Sequence, residues 1–246
     1  MIDYQLENKL CLVTGGSRGV GLAIVHTLLD QGAKVVCVAK HASVIKYGER
    51  YYPYDCDLLQ PGYLDKFLQQ CLSEHGLPNI VVHNLGGSCQ VTSDFASIED
   101  WMYVWQFNFG IAVEINNLLL PKFIKQELPA KLIHISTSAV KTLNGYMPYI
   151  AAKSALNAYV KATALRYSKH NILINAVAPG AVKLPGRYFS LLQEKEPLTL
   201  KGFLDEHVAL NRLAEPEEIA AVILFLASSL SSYITGSIID VDGGIH

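Results

Sequence analysis

Apolar residues along this chain fall into short unbroken blocks, and the stretches between the blocks carry them at three- and four-residue intervals. The blocks occupy positions 9–13, 34–38, 51–54, 79–83, 131–135, 172–177 and 237–241, several of them rich in valine and isoleucine. Short continuous apolar runs of this kind predict strands buried on both faces. The spacing at 22–29, 64–72, 114–120 and 216–227 predicts helices. Strand and helix alternate, which predicts an α/β fold: a doubly wound parallel sheet of about seven strands with helices on both faces. Neither an internal repeat nor a low-complexity linker interrupts the pattern, so residues 1–246 are expected to form one domain.

In such a sheet a ligand lies outside the carboxyl ends of the strands. The chemically unusual residues follow the predicted strands: Gly15 to Gly21 the first, Lys40 and His41 the second, Asp57 the third, Asn84 to Gly87 the fourth, Ser136 to Ser138 the fifth, and Pro179 and Gly180 the sixth. The first group reads Thr14-Gly15-Gly16-Ser17-Arg18-Gly19-Val20-Gly21, between a strand and a helix. Gly15, Gly19 and Gly21 allow a tight turn and a close approach of backbone to pyrophosphate, with N–H groups of the helix N-terminus as donors. The spacing differs from the commoner G-x-G-x-x-G, and the context of strand and helix is what makes a phosphate loop the stronger reading.

Tyr149 and Lys153 stand four residues apart in Tyr149-Ile-Ala-Ala-Lys153, a stretch compatible with a helix. Positions i and i+4 share a helix face. An ammonium there favours the phenolate and makes the tyrosine a general acid/base able to work near neutral pH. A solvated lysine beside a half-buried tyrosine is the bland alternative, and the glycine loop upstream argues against it.

Composition narrows the function classes. Half of the 246 residues are hydrophobic and the formal net charge is −2, so the chain has no electrostatic footprint for nucleic acid or anionic lipid. The first residues lack a signal-peptide pattern, and no apolar run reaches the roughly 18 residues of a membrane span, so a soluble cytoplasmic protein is expected. Cys11, Cys37, Cys56, Cys71 and Cys89 form no zinc spacing, and no metal is expected. His134 reads as a packed strand residue rather than a ligand.

Taken in order, the glycine loop, Asn84-Leu-Gly86, Asn108, Ser136-Thr137-Ser138, Tyr149-x-x-x-Lys153, Asn175-Ala-Val-Ala-Pro-Gly180, Arg212-Leu-Ala-Glu-Pro and Val241-Asp-Gly-Gly244 resemble the short-chain dehydrogenase/reductase family in its single-domain form, over nearly the whole chain. The resemblance implies a Rossmann-type fold and reversible hydride transfer between a nicotinamide cofactor and a carbonyl or alcohol. It implies that Tyr149 handles the proton, that Lys153 lowers its pKa and meets the nicotinamide ribose, and that Asn108, expected in a long helix, orders a water leading from the lysine. A hydroxyl from 136–138 would hold the substrate oxygen. Strand register puts Thr137 in the usual serine place, counting back thirteen from Tyr149 gives Ser136, and Ser138 is a third candidate; register favours Thr137. The resemblance also sets Asp57 and Leu58 beside the adenine, Asn84 and Gly86 beneath the cofactor, Pro179 and Gly180 around it, and the Val182 backbone near the carboxamide.

An acidic residue at the end of the second strand would bind the ribose hydroxyls of NAD. This chain has Ala39-Lys40-His41 there, and Lys40 with Arg18 leaves a positive corner suited to NADP, with NAD the alternative. Leu184 stands where relatives often carry a threonine that donates to the cofactor. The stretch from about 183 to 211 matches the family's substrate lid, and its Arg187, Tyr188, Lys195 and Lys201 either meet an anionic substrate or form a solvated flap. Surface-sugar and acyl substrates are both compatible with the sequence. A small-molecule substrate and a homo-oligomer, tetramer or dimer, are expected, with no nucleic-acid or membrane partner. A cofactor-binding regulator or assembly subunit with little turnover is the alternative function.

Overall fold

The computed structural model describes residues 3–246. In chain order its elements are β1 (Leu10–Thr14), α1 (Gly19–Asp30), β2 (Lys34–Ala39), β3 (Tyr51–Asp55), α2 (Tyr63–His75), β4 (Ile80–His83), α3 (Ile98–Trp105), α4 (Ile111–Lys125), β5 (Ala130–Ile135), α5 (Ala139–Thr142), α6 (Met147–Tyr167), β6 (Ile172–Pro179), α7 (Tyr188–Lys195), α8 (Pro197–His207), α9 (Pro216–Ala227) and β7 (Ile238–Val241). All seven predicted strands are present within one or two residues of the expected bounds. They form one parallel sheet in the order β3-β2-β1-β4-β5-β6-β7.

Successive strand residues point to opposite faces, and each face has its own core. Cys11, Val13, Val35, Cys37 and Val82 pack with α1 and α9, while Leu12, Val36, Val38, Val81 and Leu132 pack with α2, α4 and α6. Both layers exclude water from the strands, which is why these read as unbroken apolar runs instead of alternating ones. The chain winds outward from β1 to β3 on one side and from β4 to β7 on the other. The crevice at the carboxyl ends of β1 and β4 is therefore the switch point at which such sheets hold ligands.

Two local features differ from the expectation. The predicted long helix around Asn108 is broken by a π-helical turn, Gln106–Gly110, joining α3 to α4, in which Ile111 N–H donates to Gln106 O. The stretch 183–211 is not a featureless flap. It contains α7 and α8, which share a small core of Ala181, Leu200 and Leu213 with Phe189 and Phe203 packed against it. Among the described residues no helix is long and apolar enough to cross a membrane.

Candidate functional site

The glycine loop bridges β1 and α1. Gly15 and Gly19 take φ of +67° and +56°, a conformation open to glycine at little cost. At Gly21 a Cβ would stand 2.3 Å from Gly15 O and 2.4 Å from Asn84 Nδ2, so only glycine fits. Asn84, just after β4, clamps the turn: its Nδ2 donates to Thr14 O at 3.1 Å and to Gly15 O at 2.9 Å. Thr14 Oγ1 in return accepts from the Asn84 and Leu85 amides, each at 3.1 Å. Arg18 is the N-cap of α1 and makes no side-chain cap, which leaves the first-turn N–H groups available to a phosphate. Ser17 and Val20 are half-buried in the same turn.

Beyond the loop, α6 carries Tyr149 and Lys153 to the ends of β4 and β5. Lys153 is buried, and its ammonium donates to Ile135 O at 2.7 Å. Burial holds its pKa down at about 7. Asn108, also buried, is fixed from both sides. Its Nδ2 donates to Gly87 O at 2.8 Å and to Val104 O at 2.9 Å, and its Oδ1 accepts from Gly87 N–H at 2.8 Å. Gly86 is the meeting point, for a Cβ there would lie 2.9 Å from both Asn108 Oδ1 and Lys153 Nζ. The wide π-turn thus aims the Asn108 amide at the Gly86–Gly87 backbone beside the lysine, a common use of such insertions.

The structure separates the three hydroxyl candidates. Ser136 is buried and donates to Asn157 Oδ1 at 2.6 Å, so its hydroxyl is engaged within the fold. Ser138 is buried at the head of α5, its amide bonded to Pro179 O at 2.9 Å. Thr137 is half-buried beside Tyr149, where it opposes the rise of the tyrosine pKa, and its hydroxyl oxygen accepts from the Ala139 amide at 3.3 Å.

One expectation needs correction. Lys153 was expected to make Tyr149 acidic, yet burial raises the tyrosine pKa, and the effect opposing it comes from Thr137. Burial is the larger effect, and the ammonium, 6.0 Å from the centre of the tyrosine ring, donates to Ile135 O. A second expectation is modified. Lys40 was taken as a cation for a phosphate, but its ammonium pairs with Asp57 Oδ2 at 2.8 Å, which leaves Arg18 as the less committed charge of that corner.

The remaining candidates lie around the same crevice. Leu58 is buried after β3. Gly180 abuts the C-terminal turn so closely that a Cβ would come within 2.7 Å of Asp242 Cα. Val182 is buried in a bridge with Ala214. Sequence reasoning missed Thr14, Gly87, Asn157 and the Ile135 carbonyl as supports of the site. Thr14 opens the glycine motif and was there to be found, whereas a backbone carbonyl leaves no trace in a sequence. His134 is packed as expected, but it stacks on His83 at 4.4 Å. Among the described residues, both His134 ring nitrogens and His83 Nδ1 lack partners. They border a cavity of about 10 Å³, with Thr14 and Asn108 also in its wall. Among the described residues no cluster of three or more potential metal ligands occurs.

Comparison with known proteins agrees with this arrangement. The family profile described as enoyl-(acyl carrier protein) reductase matches residues 15–246. The 3-oxoacyl-(acyl-carrier-protein) reductase FabG of Aquifex aeolicus is 31% identical over 254 residues, covering 99% of this chain and 100% of that protein. The 7alpha-hydroxysteroid dehydrogenase of Paraclostridium sordellii is 30% identical over 255 residues, covering 98% and 93% respectively. A solved structure of L-sorbose reductase from Gluconobacter frateurii, complexed with NADPH and L-sorbose, is similar with a TM-score of 0.89 at 29% identity, over 99% of this chain and 98% of that one. Sequence likeness over nearly the full length, joined to a shared sheet, establishes that this chain belongs to the short-chain dehydrogenase/reductase family of oxidoreductases.

Proposed function

We propose that this protein is an NADP(H)-preferring oxidoreductase that interconverts a carbonyl compound and the corresponding alcohol, with Tyr149 as general acid/base. The observation that carries the reading is the convergence of Thr137, Tyr149, Lys153 and Asn108 on one corner of the crevice that also holds the glycine loop. The residues present fit a dinucleotide: a positive-φ glycine turn, an uncapped helix N-terminus and a Gly21 with no room for a side chain. The cofactor, when bound, donates or accepts the hydride. Gly15, Ser17, Gly19, Val20 and Gly21 would hold its pyrophosphate, Arg18 its 2′-phosphate, Asp57 and Leu58 would flank the adenine, and Asn84, Gly86, Pro179, Gly180 and Val182 would line its remaining length.

The protein's own residues then manage the proton. Thr137 holds the substrate oxygen beside the Tyr149 hydroxyl, which protonates the nascent alkoxide in reduction and takes the alcohol proton in oxidation. Lys153 would meet the cofactor ribose, and its pKa of about 7 suits it to pass a proton in either direction near neutrality. Asn108 keeps the Gly86–Gly87 backbone and the lysine in register. The segment from 183 to 211 serves as the substrate lid of the single domain. Five free cysteines suit the reducing cytoplasm, and exposed apolar residues on α3 and α6, among them Met102 and Leu165, favour a homo-oligomer.

Fluorescence titration of the purified protein with NADPH and NADH, joined to a screen of acyl-thioester, sterol and sugar carbonyls for cofactor oxidation, tests the reading. Tighter binding of NADPH and turnover of one class are expected. No binding of either cofactor at millimolar concentration overturns it, and binding without turnover of any class favours a cofactor-sensing regulator.

A further inference from the structure

Two arginines flank the place where the 183–211 segment crosses the glycine loop. The Leu184 side chain packs on Gly19, close enough that a Cβ on Gly19 would stand 3.2 Å from Leu184 Cδ2. Arg187 closes a turn over that leucine, its N–H donating to Leu184 O at 3.0 Å, with Gly186 at φ +67° inside the turn. Arg187 also heads α7 with extended backbone and no side-chain cap. Arg18 immediately precedes Gly19 and heads α1 in the same way. The Leu184–Gly19 contact therefore brings the backbones of Arg18 and Arg187 to one corner. Their proximity is felt electrostatically: partial burial and the charge of Arg187 together hold the Arg18 pKa below its ordinary value.

Neighbouring cations are neutralised within the fold. Lys40 pairs with Asp57, Lys183 with Glu215 and Arg212 with Glu218. Arg18 and Arg187 pair with no carboxylate among the described residues. Two like charges beside the positive end of a helix repel one another. An anion between them turns the repulsion into attraction, and guanidinium forks match the oxygen geometry of a phosphate.

We propose that Arg187 on the lid and Arg18 on the glycine loop form a two-armed clamp for a phosphate of the dinucleotide, so that cofactor binding fastens the lid; this rests on the nicotinamide reading above. Leu184 offers no donor to the cofactor, and Arg187, one turn later, supplies the lid's polar contact instead. The clamp makes the lid a sensor of the cofactor's phosphates before any substrate arrives.

Dissociation constants for NADPH and NADH, measured by fluorescence on the wild-type protein and on Arg187→Gln, test the proposal. A lost charge-assisted contact to phosphate weakens binding roughly tenfold. Weakening of NADPH alone assigns the clamp to the 2′-phosphate, and equal weakening of both cofactors assigns it to the pyrophosphate. Chymotrypsin cleavage after the exposed Tyr188 supplies a second readout. NADPH is expected to slow that cleavage in the wild type and to protect Arg187→Gln far less at equal cofactor occupancy. Unchanged affinity for both cofactors with unchanged protection overturns the clamp. Failure of the wild-type protein to bind either cofactor overturns instead the function on which the clamp rests.

Discussion

Thr137 illustrates what one residue contributes and how far sequence identifies it. Three consecutive hydroxyl residues follow β5, and counting and strand register disagree about which one serves the site. Packing favours Thr137: the Ser136 hydroxyl is tied to Asn157, whereas Thr137 lies beside Tyr149 and opposes the rise of its pKa. The account predicts that Thr137→Ser keeps most of the turnover, because the hydroxyl is retained. Thr137→Val removes the hydroxyl at nearly constant volume and is expected to lower kcat by roughly 10²-fold, the cost of one lost hydrogen-bond donor at a reacting oxygen. Steady-state kinetics of the two variants check this, and equal activity of Thr137→Val and the wild type would remove Thr137 from the mechanism. Tyr149 and Lys153 were singled out by their spacing together with the glycine loop upstream, and α6 sets the lysine ammonium 6.0 Å from the tyrosine ring centre. The direction of the tyrosine's pKa was not, because burial and the aim of the ammonium belong to the tertiary structure.

At the scale of elements, the strands were legible because burial on both faces leaves an unbroken apolar run. The π-turn at 106–110 was not. It inserts one residue into a continuous helical pattern, and periodicity over so short a stretch cannot register the shift. Helices α7 and α8 were obscured for another reason: they bury few residues, Ser190 and Leu200 among them, so their amphipathic signal is weak. What joins elements into a site is a set of short clamps, and each is open to test. Asn84→Ala removes the two bonds that tie β4 to the glycine turn. At about 1 kcal/mol each, their loss is expected to lower Tm by roughly 4–8 °C for a domain of this size and to weaken cofactor binding at the same time. Thermal melts and cofactor titration of one preparation measure both. An unchanged Tm would mean that the turn holds its shape without Asn84. Gly86→Ala is expected to be more harmful to catalysis, since the added methyl meets Asn108 and Lys153 at 2.9 Å. Its signature is a collapse of kcat in a protein that still folds, and undiminished kcat would contradict the tight packing described here.

Across the whole molecule, the fold class followed from alternation alone, and the family followed from motifs in order along the chain. The substrate did not follow, because relatives named for acyl-carrier, steroid and sugar chemistry are similar to this chain over nearly its full length. The buried imidazole pair gives the molecule a characteristic acid response. Burial holds His83 at about 4 against an ordinary value of 6.5, and it holds His134 well below that value too, helped by the charges of His83 and Lys153. The folded pKa is depressed, so the unfolded chain takes up the proton first as pH falls. The stability from keeping His83 neutral is fully present above pH 6.5 and is lost between 6.5 and about 4. At 1.36 kcal/mol per unit the loss from His83 amounts to about 3 kcal/mol. Denaturant unfolding across that range measures it. His134→Leu removes two ring nitrogens without partners at similar volume and is expected to leave Tm at pH 7 unchanged or higher; a drop of more than about 5 °C, well over 1 kcal/mol for a chain of this size, would show that those nitrogens are satisfied in solution.

Whether Tyr149 carries the proton of a hydride transfer is tested by turnover of Tyr149→Phe on whichever carbonyl substrate the cofactor-oxidation screen identifies, with NADPH affinity determined on the same preparation. The variant loses only the phenolic oxygen, at a ring that is half-buried. The account predicts that kcat falls by roughly 10²- to 10⁴-fold, the usual contribution of a general acid/base, while the dissociation constant for NADPH stays within about a factor of two, a difference under 0.5 kcal/mol. Turnover by Tyr149→Phe equal to that of the wild type would contradict the assignment of the acid/base to this residue.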